Sequence, residues 1–217
     1  MANENREAQR PKYDCLLFDL DDTFFVHGKL PYEKLKPDPV LRNLLLSLPY
    51  KKLIFTSADK IHALKALGIL GIEDCFEGII CFETLNAINK STVNYAKSPK
   101  IFDIIGHFAQ PNPSAVLPKT PVVCKPSEYA IESALKIANL NPQTTLFFED
   151  SVRNIQSGKR LGLHTVQVGT SQNLKGADYA IETIHNLREA LPELWEVDIK
   201  SEATYPGKLA VETQVTA

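Results

Sequence analysis

Residues able to do chemistry together stand at four places in the chain: Asp19-Leu20-Asp21-Asp22-Thr23, Thr56-Ser57, Lys125 and Glu149-Asp150. Each closes a short apolar run. An acidic pair two residues apart is common in turns and means little alone. Polar run-ends in the order acidic, hydroxyl, lysine, acidic are far more selective, the alternative being helix N-caps and solvated loops. Asp19, Asp21, Asp22, Glu149 and Asp150 would crowd five carboxylates around one cation, Lys125. Such crowding raises some carboxyl pKa values or demands a metal. A hard divalent ion with oxygen ligands relieves it. Mg²⁺ suits the donor set, because it takes one or two carboxylates plus a substrate phosphate and keeps several waters.

The remaining polar groups fit a phosphoryl ligand. Thr56 offers a hydroxyl and Ser57 an amide at the start of the next expected helix, so the two could hold a phosphoryl oxygen at a helix N-terminus. The competing role for Thr56 is to cap the turn. Lys125 would neutralise phosphoryl charge, with a solvated surface lysine as the alternative. Asn154, one helical turn past Asp150, is spaced to orient a metal ligand from behind, and Glu149 sits beside that ligand.

These residues need elements that bring them to one edge. Apolar runs at 13–20, 52–56, 78–82, 121–124, 144–148, 164–168 and 178–181 predict strands. Helical patterns fall at 38–48, opened by Asp38-Pro39 and closed before Pro49, and at 59–70, 127–139, 152–161 and 183–191. The 59–70 helix is expected to break toward Gly68 and Gly71. Strands alternating with helices predict a doubly wound α/β fold, a Rossmann-like parallel sheet covered on both faces. In such sheets ligands bind beyond the carboxyl ends of the strands, which is where all four polar groups fall. The expected organisation is a disordered tail at 1–12, a core at 13–195 and a loose tail at 196–217. A long proline-bearing loop at 83–120 leaves the third strand near the site. His107 within that loop reads as a surface histidine.

Composition narrows the function classes. Of 217 residues, 24 are Lys or Arg and 26 are Asp or Glu, a formal net charge of -2 that lacks the basic excess of nucleic-acid binders. No run reaches the length of a membrane span and no signal-peptide apolar core opens the chain, so neither a nucleic acid nor a membrane is an expected partner and a cytoplasmic location is predicted. Cys15, Cys75, Cys81 and Cys124 are scattered and apolar-flanked, which reads as small buried hydrophobes rather than a disulfide or zinc framework. Oligomeric state is not legible.

With these residues in place the sequence resembles the haloacid dehalogenase superfamily, whose first motif is matched by Asp19, Asp21 and Thr23 and whose other three match Thr56, Lys125 and Asp150 in order. The stretches CLLFDLDDT, HGKLPYEKLKPD, DCFEGIICFETLN and SVRNIQSGKRLGLHTVQVG look like the pyrimidine 5'-nucleotidase-like branch found in plants. The resemblance implies Mg²⁺ held by the Asp19 and Asp150 side chains and the Asp21 backbone carbonyl. It also implies that Asp19 forms an aspartyl-phosphate, and that Asp21 protonates the leaving oxygen and later activates water. Such an acid is not needed for a halide, which argues against dehalogenation. Glu149 departs from the branch, where Asp is more usual.

Superfamily members select substrates with a cap domain. Only 35 residues separate Asp21 from Thr56, too few for a helical cap beside the expected helix and strand, so the cap is read as excised near Thr23 to Phe25. The expected activity is a phosphatase with an open site, acting on small phosphorylated substrates such as nucleoside monophosphates. The alternatives are a phosphoprotein phosphatase and a truncated, non-catalytic binding module.

Overall fold

The structure is a computed structural model that describes residues 12–25, 32–86, 122–172 and 176–196. Runs of Leu, Ile, Val and Phe bounded by polar residues fold as strands buried on both faces. They are β1 (Cys15–Phe18), β2 (Lys51–Phe55), β3 (Gly78–Ile80), β4 (Thr145–Glu149), β5 (His164–Val168) and β6 (Tyr179–Ile181). The sheet order is β3-β2-β1-β4-β5-β6 and every pair is parallel, which is the doubly wound order. The chain winds outward from β1 to β3, then returns to lay β4 on the other side of β1. That reversal opens a crevice beyond the carboxyl ends of β1 and β4.

Alternation along the strands divides the core into two layers. Leu16 and Phe18 of β1 and Leu146 and Phe148 of β4 face one layer, while Cys15, Leu17 and Phe147 face the other. The first layer is covered by α1 (Pro39–Leu46), α2 (Lys60–Leu70) and the C-terminal elements around α6 (Leu187–Ala190). The second is covered by α4 (Glu128–Ala138). Phe18 stacks on Phe148 with ring centroids 4.4 Å apart, locking β1 to β4 just before the site. On α5 (Val152–Arg160), a Cβ at Gly158 would stand 3.1 Å from the Phe147 ring, so glycine permits the close approach of this helix to β4.

Helix starts follow the expected caps. Asp38 accepts from Leu41 N–H with Pro39 in the first turn of α1, and Asp59 accepts from His62 N–H at the start of α2. Four expectations are corrected. Helix α2 runs through Gly68 and ends only at Gly71, which takes the left-handed conformation at φ 69°. The third strand stops at Ile80, because Cys81 opens the short α3 (Phe82–Leu85), and the 183–191 helix divides into a 3-10 turn and α6. No strand forms at 122–124: Val123 gives its N–H to Asn86 Oδ1 (2.8 Å) and its carbonyl accepts from Asn86 Nδ2 (2.9 Å), so a side-chain amide takes the place of a sheet ladder.

Between β1 and β2 the described residues form a 3-10 turn (Tyr32–Lys34) and α1. Cys15, Cys75 and Cys81 are buried. Among the described residues no helix is long and apolar enough to cross a membrane. The expectations for the tails at 1–11 and 197–217, for Pro121, and for the loop from 87 onward with His107 lie outside the described residues.

Candidate active site

Asp19 is the first residue past β1, and its N–H donates to Phe148 O at 2.9 Å, continuing the ladder one step beyond the strand. The chain then turns sharply. Asp22 adopts a left-handed backbone at φ 60°, which an aspartate tolerates better than most residues, and its N–H reaches Phe25 O at 2.7 Å. That turn returns Thr23 to the site, where its hydroxyl donates to Asp19 Oδ2 at 3.0 Å.

Lys125 arrives at the same carboxylate from the segment clamped by Asn86. Its ammonium donates to Asp19 Oδ1 at 2.5 Å and to Glu149 Oε2 at 2.7 Å, with both partners and the lysine itself buried. It also lies 5.0 Å from the ring centre of Phe55, at the end of β2, and 5.7 Å from that of Phe147, in the middle of β4. Burial opposes its charge, but Asp19 and Glu149 outweigh that and hold its pKa above the ordinary lysine range. Burial pushes Asp19 up to about 6, with Lys125 opposing and Glu149 reinforcing the rise. Glu149 is raised as well, by burial first, against the pull of Lys125. One ammonium between two buried carboxylates leaves the centre short of positive charge.

A cation would supply it. Asp19, Glu149 and Asp150 each present a carboxylate oxygen, and these oxygens lie within 4.8 Å of one another. An all-oxygen donor set of this kind fits a hard divalent ion. Glu149 Oε1 is also held by the Ser151 N–H at 3.1 Å, which fixes the turn carrying Asp150 into α5. Asn154 sits half-buried in the first turn of that helix.

Thr56 is buried at the end of β2, and its hydroxyl oxygen accepts from Ala58 N–H at 3.0 Å. The turn-capping role is therefore filled, and the hydroxyl proton is left to donate elsewhere. Ser57 is exposed and precedes α2 by more than a bend: the helix begins only at Lys60, because the Asp59 carboxylate sets the cap there. The expected helix N-terminus at Ser57 is thus displaced along the chain. Asp21 is partly exposed and its Oδ1 is bound by His62 Nε2 at 2.6 Å.

The structure therefore brings Asp19, Thr23, Lys125, Glu149 and Asp150 into one contact set, with Thr56 and Asp21 at neighbouring strand exits. Two participants, His62 and Asn86, were not marked by sequence. His62 carries no spacing relation to Asp21, and Asn86 falls in the stretch read as the long 83–120 loop.

A family model described as haloacid dehalogenase-like hydrolase matches residues 89–168. Phosphate metabolism protein 8 of Saccharomyces cerevisiae is 44% identical over 63 residues, which cover 25% of this chain and 20% of that protein, so the match spans about a fifth of this relative. Among solved structures, L-2-haloacid dehalogenase from Xanthobacter autotrophicus superposes with a TM-score of 0.55 at 10% identity, covering 82% of this chain and 97% of that one. CbbY from Rhodobacter sphaeroides, solved in complex with phosphate, gives a TM-score of 0.53 at 12% identity, covering 84% and 99%. At these identities the two structures speak to the fold. The chain is thus similar to the haloacid dehalogenase-like hydrolases over residues 89–168, and it shares the fold of the two solved structures.

Proposed function

We propose that this chain is a Mg²⁺-dependent phosphomonoester hydrolase that acts through an aspartyl-phosphate on Asp19. The observation that carries the proposal is the buried Asp19 carboxylate, held by Lys125 and Thr23 beside Glu149 and Asp150 at the reversal point of the sheet. Asp19 attacks phosphorus in line, forming an O–P bond as the bond to the leaving oxygen breaks. Lys125 offsets charge on the equatorial oxygens, and the Thr56 hydroxyl and Ser57 amide hold them. Asp21 gives its proton to the leaving oxygen, then takes one from the water that releases phosphate from Asp19. Mg²⁺, held by Asp19 and Asp150 with the Asp21 carbonyl, would supply further positive charge at the phosphoryl group. Glu149 and Asn154 position these ligands.

Nucleoside monophosphates are the first substrate class, in keeping with the plant pyrimidine 5'-nucleotidase-like sequence stretches. The described residues between Asp21 and Thr56 hold no cap domain, only a 3-10 turn, α1 and β2, which favours bulky phosphoproteins as a second substrate class. The test is phosphate release by the purified chain from nucleotides, sugar phosphates and phosphopeptides, with and without Mg²⁺, alongside Asp19→Asn. Mg²⁺-dependent release lost in Asp19→Asn is expected. An Asp19→Asn protein with near-wild-type turnover would refute the covalent mechanism, and no release from any substrate would favour a binding module.

A further inference from the structure

Asp21 is the end of a hydrogen-bonded chain that begins on another element. His62 is the third residue of α2, and the Asp59 cap, accepting its N–H at 2.7 Å, fixes the first turn from which its ring projects. The imidazole reaches the loop after β1, with Nε2 at 2.6 Å from Asp21 Oδ1. Its Nδ1 is hydrogen-bonded to the Tyr32 hydroxyl. The Tyr32 ring is held in turn by Lys65, one turn further along α2, whose ammonium lies 4.1 Å from the ring centre. Phe25, which bridges to Asp21 through the backbone, flanks the imidazole with ring centres 6.4 Å apart. The His62 side chain is only 13% exposed and that of Asp21 23%, so this contact is shielded well beyond an ordinary surface pair.

The order of donors follows from the groups present. With the Tyr32 hydroxyl donating to Nδ1, the imidazole carries a hydrogen on Nε2 and donates it to Asp21 Oδ1. We propose that His62 is a positioning residue for Asp21: it occupies Oδ1, fixes the rotation of the carboxyl, and leaves Oδ2 as the oxygen that exchanges a proton with the leaving group and then with water. In the first half-reaction the proton on Oδ2 moves to the leaving oxygen as the phosphorus bond to that oxygen breaks. In the second, Oδ2 takes a proton from the attacking water as the Asp19–phosphorus bond breaks, which restores both carboxyl groups. The proposal rests on the phosphatase function above.

The test compares an aryl phosphate, whose leaving group needs no proton, with an alkyl phosphate, whose leaving group does. His62→Ala should lower kcat for the alkyl substrate about tenfold more than for the aryl one, with KM for each changed less than about twofold. His62→Gln, which keeps an N–H donor, should restore part of the loss, and Tyr32→Phe should show a weaker form of the same selectivity. In an Asp21→Asn background, His62→Ala should add nothing further for the alkyl substrate. Equal losses on the two substrates, or additive losses with Asp21→Asn, would overturn the positioning role. If His62→Ala lowers the melting temperature sharply, His62→Gln and Tyr32→Phe carry the comparison. Wild-type protein without turnover, or Asp19→Asn with turnover, would instead remove the phosphatase function itself, so the two failures are told apart.

Discussion

Lys125 Nζ lies 2.5 Å from Asp19 Oδ1, joining residues 106 positions apart inside a buried pocket that also holds Glu149. Removing one member of such a set leaves charge buried without a partner. Lys125→Met should therefore destabilise the fold by about 3 kcal/mol near neutral pH, in the range seen when a buried ion pair loses one partner. The sign of the pH effect follows from the raised Asp19 and Glu149. A carboxyl whose folded pKa is raised favours the fold when protonated, and that contribution is lost as pH rises through the folded value. The deficit measured by denaturant unfolding should thus shrink on the acid side of Asp19's pKa and grow above it. A deficit independent of pH would mean that the two carboxylates do not face Lys125 as described.

Asn86 governs how Lys125 reaches that pocket, since two of its side-chain bonds hold the Val123 backbone two residues earlier. Asn86→Ala should cost about 1–2 kcal/mol of stability and lower kcat by roughly tenfold through displacement of Lys125. The loss should be alike for aryl and alkyl phosphates, unlike that of His62→Ala. A variant with unchanged kcat would show that Lys125 is placed by other contacts.

Asn86 also marks where the sequence stops being sufficient. Val122-Val123-Cys124 has the branched apolar character of a strand, yet the Val123 N–H and carbonyl bond a side chain 37 residues away, a competitor invisible to local pattern. The carboxylate and hydroxyl positions were legible for a different reason. A parallel sheet places every strand exit on one edge, so Asp19, Thr56 and Asp150 converge once the apolar runs are recognised as strands. His62 escaped notice because its partner Asp21 lies 41 residues away and the pairing depends on the azimuth of α2, which Asp59 sets.

Metal affinity should depend on pH through Asp19. A hard ion binds the deprotonated carboxylate, so each proton it must displace weakens apparent affinity as pH falls. With Asp19 pushed up to about 6, apparent Mg²⁺ affinity should be nearly level above neutrality and fall by up to about tenfold per pH unit on the acid side. Calorimetric titration of the chain with Mg²⁺ across this interval measures it directly. A flat profile would exclude Asp19 as a metal ligand.

Asp21 has a separate signature. Asp21→Asn removes the proposed proton donor while keeping the shape of the side chain, so it should slow alkyl phosphates by about 10² or more and aryl phosphates much less. Single-turnover measurement of phosphoenzyme formation on both substrates resolves the step. Equal slowing of the two would assign Asp21 to structure and not to proton transfer.

Substrate choice should be shallow. A cap over the site excludes water and adds contacts to parts of the substrate remote from phosphorus, and those contacts are what separate one leaving group from another. The groups proposed to hold the phosphoryl are in place among the described residues: Lys125 and Thr56 are buried, and Asp19, Glu149 and Asp150 bring carboxylate oxygens close together. On the proposed function, binding energy would be concentrated on the phosphoryl group and its metal, a feature common to every phosphomonoester substrate. We expect kcat/KM values for different nucleoside monophosphates and sugar phosphates to agree within about tenfold, with high KM throughout and inorganic phosphate competing against each of them equally. The 87–121 segment is the internal candidate to add selectivity, so the comparison should be repeated after its replacement by a short linker. A strong preference for one nucleoside monophosphate that survives the replacement would show that the core itself recognises the leaving group, and the open-site account would have to be abandoned.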